Sequence, residues 1–165
     1  MRKSFTLPAA CAASAMIVSG CAVSGNTDAA EPSFDGMPDP FTEASDLKGA
    51  AELAGFPVSF DGKCDGHSII RVIKGSLAEI ICEKDGNELY RVRKGSGPDD
   101  VSGDYSEYKL KEEKKDSAGR TVTLKGNDGI SWSLAAWHEG DYSYSVSPAS
   151  PMETSEILTL AGRLR

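Results

Sequence analysis

Between Ile70 and Val146 large apolar residues recur at every second position, and short turns rich in Gly, Asp and Asn break the pattern. This alternation constrains the fold more than any other feature. Successive side chains on a strand point to opposite faces, so a period of two gives an apolar face and a polar one. Ile70 and Val72 oppose Arg71; after Lys74-Gly75-Ser76, Ala78, Ile80 and Cys82 oppose Glu79 and Glu83. The spacing predicts a hairpin with one face buried. Asp85-Gly86 turns the chain into a third strand, where Tyr90 and Val92 alternate with Arg91 and Arg93.

A Gly- and Asp-rich loop from Gly95 to Asp104 leads to a strand near Tyr108 and Leu110, which ends in the charged stretch before Gly119. Val122 and Leu124 mark the next strand. Asn127-Asp128-Gly129 is a hairpin turn of residues that tolerate positive φ. Ile130, Trp132, Leu134 and Ala136 then share one face, and Tyr142, Tyr144 and Val146 alternate with serines after Glu139-Gly140-Asp141.

A helix flanks the strands at each end. Ser45 to Gly55 has Leu47, Ala50, Ala51 and Ala54 at helical spacing, with Gly55 suited to the left-handed closing position. At the other end, Ser150 as N-cap, Pro151 at N1 and Glu153 at N3 form a capping box ahead of the stripe Ile157, Leu160, Ala161 and Leu164. The expected class is α+β: a twisted antiparallel sheet of about seven or eight short strands with an N-terminal and a C-terminal helix packed on it.

The first twenty residues have a different character. Arg2 and Lys3 precede an uncharged stretch from Leu7 to Gly20, which is short for a membrane span. Val18-Ser19-Gly20-Cys21 has the form of a lipobox, with small residues before a thiol that accepts a diacylglyceryl group. The expected organisation is a signal peptide over 1–20, a lipidated Cys21 with a flexible tether over 21–44, and one extracytoplasmic domain over 45–165. Acyl chains on Cys21 would hold the protein at the extracytoplasmic face of the cell membrane.

Charge supports this division of labour. Without Arg2 and Lys3 there are sixteen basic residues against twenty-five acidic ones. Such an acidic chain is repelled by phosphate backbones and anionic headgroups, so no nucleic-acid partner is expected and the lipid must do the anchoring. Arg91, Arg93 and Lys94 form a local basic cluster, read as the solvated face of strands rather than an anion site.

Cys64 and Cys82 remain after the leader is removed, and export places them where disulfides persist. They can bond to each other, or Cys82 can be a buried free thiol on its apolar strand face. No CxxC or HxxxH spacing accompanies them, so no metal site is expected.

Catalytic chemistry finds little support. His67 and His138 are the only histidines, neither lies in a nucleophile motif, and G-x-S-x-G is absent. No catalytic residue and no cofactor are assigned. Asp99, Asp100 and Asp104 do not follow the EF-hand order and read as a solvated turn. Trp137 has the opposite parity to Trp132 and shares a face with serines; either a bulge returns it to the core or it is partly exposed. Trp137, Tyr105 and Tyr144 are the candidate binding surface, because aromatic rings beside hydroxyls suit a peptide or a glycan.

One resemblance joins these elements. Ala50-Ala51-Glu52-Leu53-Ala54-Gly55-Phe56, Tyr90-Arg91, Val101-Ser102-Gly103-Asp104-Tyr105, Ala136-Trp137 and Ser143-Tyr144-Ser145 occur in that order over roughly 41–165. In this the chain resembles an uncharacterised family of lipoproteins and membrane-tethered extracellular domains of Gram-positive bacteria. The resemblance implies an extracytoplasmic α+β fold with no established activity and no catalytic residues to carry over. The expected role is therefore a non-catalytic binding or sensing module, or a structural partner of another envelope protein.

Overall fold

The computed structural model describes residues 38–165. Within them nine strands and two helices form an α+β domain built on one antiparallel sheet. None of the described helices is long and apolar enough to cross a membrane.

Two meanders make the sheet. The first comprises β1 (Thr42–Ala44), β2 (His67–Ile73), β3 (Leu77–Lys84) and β4 (Asn87–Ser96), and the helix α1 (Leu47–Ala54) lies between β1 and β2 in sequence. The second comprises β5 (Leu110–Lys115), β6 (Thr121–Gly126), β7 (Ser131–Glu139) and β8 (Tyr142–Pro148). They join where β4 pairs with β8, giving the order β1-β2-β3-β4-β8-β7-β6-β5. A short β9 (Met152–Glu153) pairs with β7 and leads into α2 (Thr154–Arg163). The strand count exceeds the sequence expectation because β1 and β9 are too short to show a period. β1 falls at the end of the stretch read as tether, yet all three of its residues pair with β2.

The helix ends follow local chemistry. Asp46, rather than Ser45, caps α1: its carboxylate accepts from Gly49 N at 2.7 Å. Gly55 closes the helix in the left-handed region at φ 76°, as its position predicts. Asp46→Ala should cost about 1 kcal/mol in urea unfolding, the usual worth of such a cap.

The capping box expected at Ser150–Glu153 does not form. Met152 and Glu153 spend their backbone groups on β7, and α2 starts at Thr154 with no side-chain cap from Glu153. The first turn is instead fixed to the sheet by Trp132, whose Nε1 donates to Thr154 Oγ1 at 2.8 Å.

Both helices cover one face of the sheet. Ala50 and Ala54 of α1, with Ile157 and Ala161 of α2, pack on Val72, Ile80, Val92, Val122, Leu124 and Val146. The segment after α1 closes one side through backbone bonds between Ser59 and Arg165 and a bridge from Phe60 to Leu164. Cys64 and Cys82 are disulfide-bonded, with Cα atoms 5.6 Å apart.

The strand β7 departs from simple alternation. Lys125 pairs with Leu134, but Gly126 pairs with Trp132, which leaves Ser133 as an extra residue. The bulge reverses parity. Trp132, Ala135 and Trp137 face the helices, whereas Leu134 and Ala136 face the opposite side, so the shared face expected for Ile130, Trp132, Leu134 and Ala136 is divided. Ile130 precedes the strand and is 73% exposed. Gly126 permits the bulge, since a Cβ there would lie 2.6 Å from Ser131 O.

The opposite face is not solvated either. β4 and β5 are four places apart in the sheet, so the connection 97–109 must cross about 19 Å at the usual strand spacing. It crosses over the face away from the helices. Arg93 Nη1 donates to the carbonyls of Val101 and Ser102, and Lys125 meets Asp100 at 3.4 Å. Leu134, Ile81 and Glu79 are buried on that side. The expectation of one buried face is corrected to a sheet covered by helices on one side and by a loop on the other.

Candidate functional site

Cys21 lies outside the described residues. Of the three aromatic residues nominated as a binding surface, two are in the core. Trp137 and Tyr144 are 6% and 5% exposed, and their rings stack at 5.1 Å with planes 4° apart. The Ser133 bulge returned Trp137 to the helix side. Tyr105 is 97% exposed in the crossing loop, apart from that pair. The three residues do not make one surface.

The basic cluster is also placed differently from the solvated face expected of it. Lys94 lies on the helix side, 4% exposed, with its ammonium 4.3 Å from the Tyr142 ring and 5.4 Å from that of Tyr144. It donates to Pro57 O at 2.7 Å. Burial lowers the Lys94 amine below the ordinary lysine value, partly opposed by the charge of Glu139.

Arg91 and Arg93 face the other side and converge on Glu79, which has no exposed surface. Glu79 Oε1 accepts from Arg71 Nε and Nη2 at 3.0 and 2.5 Å; Oε2 accepts from Arg91 Nη1 at 3.1 Å and Arg93 Nε at 2.7 Å. Arg91 also forks onto Glu88. Desolvation would raise the Glu79 carboxyl, but hydrogen bonds from Arg71 and Arg93 and the surrounding cations outweigh it and hold it below the usual range.

His138 Nδ1 is 3.3 Å from Ser143 Oγ across β7 and β8, and that hydroxyl donates to Gly97 O at 2.8 Å. Ser143 Oγ is thereby held between the imidazole and the Gly97 carbonyl. Among the described residues no group of three or more His, Cys, Asp and Glu side chains is arranged to hold a metal ion. Asp100 and Asp104 instead order the crossing loop, accepting from Ser102 N and Ser106 N at 2.8 Å each.

Two depressions merit comparison. The larger, about 670 Å³, lies at one end of the sheet where turns meet around Gly55, Gly75, Gly97 and Gly140. Its polar groups bond to one another: Ser96 Oγ donates to Gly75 O, and Gly97 N to Asp141 O. The smaller, about 330 Å³, opens on the loop side between the 102–108 and 148–151 segments. Glu88, Arg91, Arg93, Asp104 and Tyr108 line it together with Ser133, Ser147 and Pro151. Ser147 Oγ is buried with no protein partner, as is Ser145 Oγ two residues earlier on the same face.

The Tyr108 hydroxyl donates to Asp104 Oδ2. Burial and that carboxylate raise the Tyr108 phenol above its ordinary value. Burial would also raise Asp104, but hydrogen bonds from Tyr108 and Ser106, with the charge of Lys125, hold it low. Tyr105 follows Asp104 directly in the chain.

Sequence reasoning missed this pocket because it assigned the serines of β8 and the arginines of β4 to solvent. Ile81, apolar next to Ile80 and so at an opposite-face position, was the available sign that something covers that side. Compared with known proteins, the chain matches no family model, no curated protein and no solved structure.

Proposed function

We propose that the chain is a lipoprotein anchored through Cys21 at the extracytoplasmic face of a cell membrane. Its α+β domain is a non-catalytic binding module that uses the loop-side pocket. The uncharacterised lipoprotein family named on sequence grounds is the expected kinship. One observation carries the binding reading: a depression of about 330 Å³ on the loop side is lined by side chains that the Glu79 ion cluster and the β7 bulge hold in place.

Two measurements test the two halves. Mass spectrometry of the native protein should find Cys21 as the first residue and carrying fatty chains; an intact leader would remove the anchor. For binding, the detergent-solubilised full-length protein should be retained saturably by isolated cell-envelope material. Tyr105→Ala should weaken that retention about tenfold without loss of folding, as expected for an aromatic anchor whose ring is free of the core. Equal retention of variant and native protein would count against the crossing loop as the binding surface.

A second reading, contact with another envelope protein, has its own support. Ile130 is 73% exposed, and a Cβ on the neighbouring Gly129 would lie 3.4 Å from Leu110 Cδ1, so Ile130 and Leu110 share an apolar tip. In the same assay Ile130→Ser should leave retention unchanged under the pocket reading and abolish it under the assembly reading. Its effect on stability should stay within about 0.5 kcal/mol, as for surface substitutions generally.

A further inference from the structure

We infer that the loop-side pocket takes a carboxylate, the C-terminal group of a short peptide, an inference that rests on the binding-module reading and specifies its ligand. Arg93 supplies the observation. Its Nε donates to Glu79 and its Nη1 to the carbonyls of Val101 and Ser102, while Nη2 donates to no described residue. The buried side-chain nitrogens and oxygens without a partner among the described residues are Trp137 Nε1, Ser145 Oγ and Ser147 Oγ. Arg93 Nη2 is not one of them, so its hydrogens are unpaired and within reach of solvent. Arg91, the other arginine lining the pocket, has one acceptor on each of Nη1 and Nη2, and each of these nitrogens has a second hydrogen. The Arg93 guanidinium is also held closely from the loop, since a Cβ on Gly103 would lie 2.3 Å from Nη1.

The charges favour a monoanion. Arg71, Arg91 and Arg93 bring three positive charges to the two carboxylates they bond, Glu79 and Glu88, so one is left over. Asp104, also in the lining, opposes it, but its oxygens are turned to Ser106 N and the Tyr108 hydroxyl. A cationic ligand would have to compete for both acids, because Glu88 is forked by Arg91 and Asp104 already accepts two bonds. A planar carboxylate matches guanidinium N–H groups, and such charge-assisted bonds are roughly twice as strong as neutral ones. Pro148, Ala149 and Pro151 give the pocket an apolar side, which suits the aliphatic side chain beside a peptide's terminal carboxylate. The volume of about 330 Å³ lies at the small end of ligand sites and admits about two small residues.

The test is an NMR titration of the full-length protein with N-acetylalanylalanine and, as its uncharged counterpart, the same dipeptide ending in an amide. The acid should shift the Arg93 and Arg91 side-chain signals saturably and bind about tenfold more tightly than the amide, the effect of a charge-assisted bond. Arg93→Lys should bring acid and amide to about equal binding, because an ammonium keeps the charge and loses the fork. Asp104→Asn should tighten the acid about threefold without moving the amide, a gain that misfolding cannot produce. Inorganic phosphate and glucuronate should both bind more weakly than the dipeptide acid. The inference is overturned if acid and amide bind alike, if the shifts lie away from the two arginines, or if phosphate or glucuronate binds more tightly. Should Arg93→Lys fail to fold, the acid–amide comparison on the native protein and Asp104→Asn decide the outcome. Retention by envelope material reads the module separately. Retention with no difference between acid and amide removes this ligand alone, whereas absence of retention counts against the module reading whatever the titration gives.

Discussion

Glu79→Ala should destabilise the domain by about 3–5 kcal/mol, the usual cost of removing one partner from a buried ion pair. The native carboxylate accepts four N–H groups from three arginines and has no exposed surface. Without it Arg71, Arg91 and Arg93 would be left as three neighbouring cations beneath the crossing loop, with Glu88 as the remaining nearby anion. Arg93 also holds the loop through Val101 and Ser102, so the loop should loosen first. Replacing Arg71, Glu79 and Arg93 together with Met, Leu and Met should cost less than Glu79→Ala alone, because no unpaired charge stays behind. Urea unfolding of the three proteins checks both statements.

The same cluster sets a pH dependence. The native Glu79 carboxyl titrates below its unfolded value, so its contribution to stability is complete above the ordinary glutamate range near 4.5. That contribution declines as pH falls below the range and through the native value. Glu79→Gln should therefore be less stable than the native chain at neutral pH, with the gap narrowing as the solution is acidified.

The second large effect concerns the disulfide. Cys64 and Cys82 are separated by 18 residues, and closing such a loop restricts the unfolded chain by about 3 kcal/mol in the chain-entropy account. The bond also fastens a segment that holds little regular structure. Between α1 and β2 the chain is also tied by the Ser59–Arg165 and Asp61–Arg163 backbone pairs, the Phe60–Leu164 bridge, Lys94 donating to Pro57 O and the Tyr90 hydroxyl donating to Lys63 O. The double variant Cys64→Ala, Cys82→Ala should lose about 3 kcal/mol and be indifferent to reductant, while the native protein should lose a similar amount when reduced. A loss below about 1 kcal/mol would mean that the backbone pairs hold the segment without help.

How much of this was legible depends on whether an element is governed by its neighbours in sequence or in space. The hairpins β2–β3 and β7–β8 were legible because alternation and turn residues act locally, and Gly55 was legible because the left-handed conformation is its own. Arg71 and Glu79 were legible as polar-face positions of one hairpin, and the structure sets them opposite each other. Their burial was not, because the loop that covers them connects strands four places apart and its path follows from the sheet order.

The candidate site failed in the same manner. A single extra residue, Ser133, reverses every later side chain of β7, and nothing in the alternation announces it until Ala135 and Ala136 stand side by side. Trp137 therefore moved from the proposed surface into the core against Tyr144, and Tyr105 alone of the three stayed outside. The capping box at Ser150 satisfied a helix rule, yet Met152 and Glu153 found better partners in β7.

The central claim is that the loop side of the sheet, and not the helix side, meets the cell envelope. A photo-cross-linking residue placed at Tyr105 in living cells, and separately at the exposed Glu156 of α2, tests it most directly. The account predicts covalent capture of envelope material from position 105 and little from position 156. Capture from the helix position with none from the loop would contradict it.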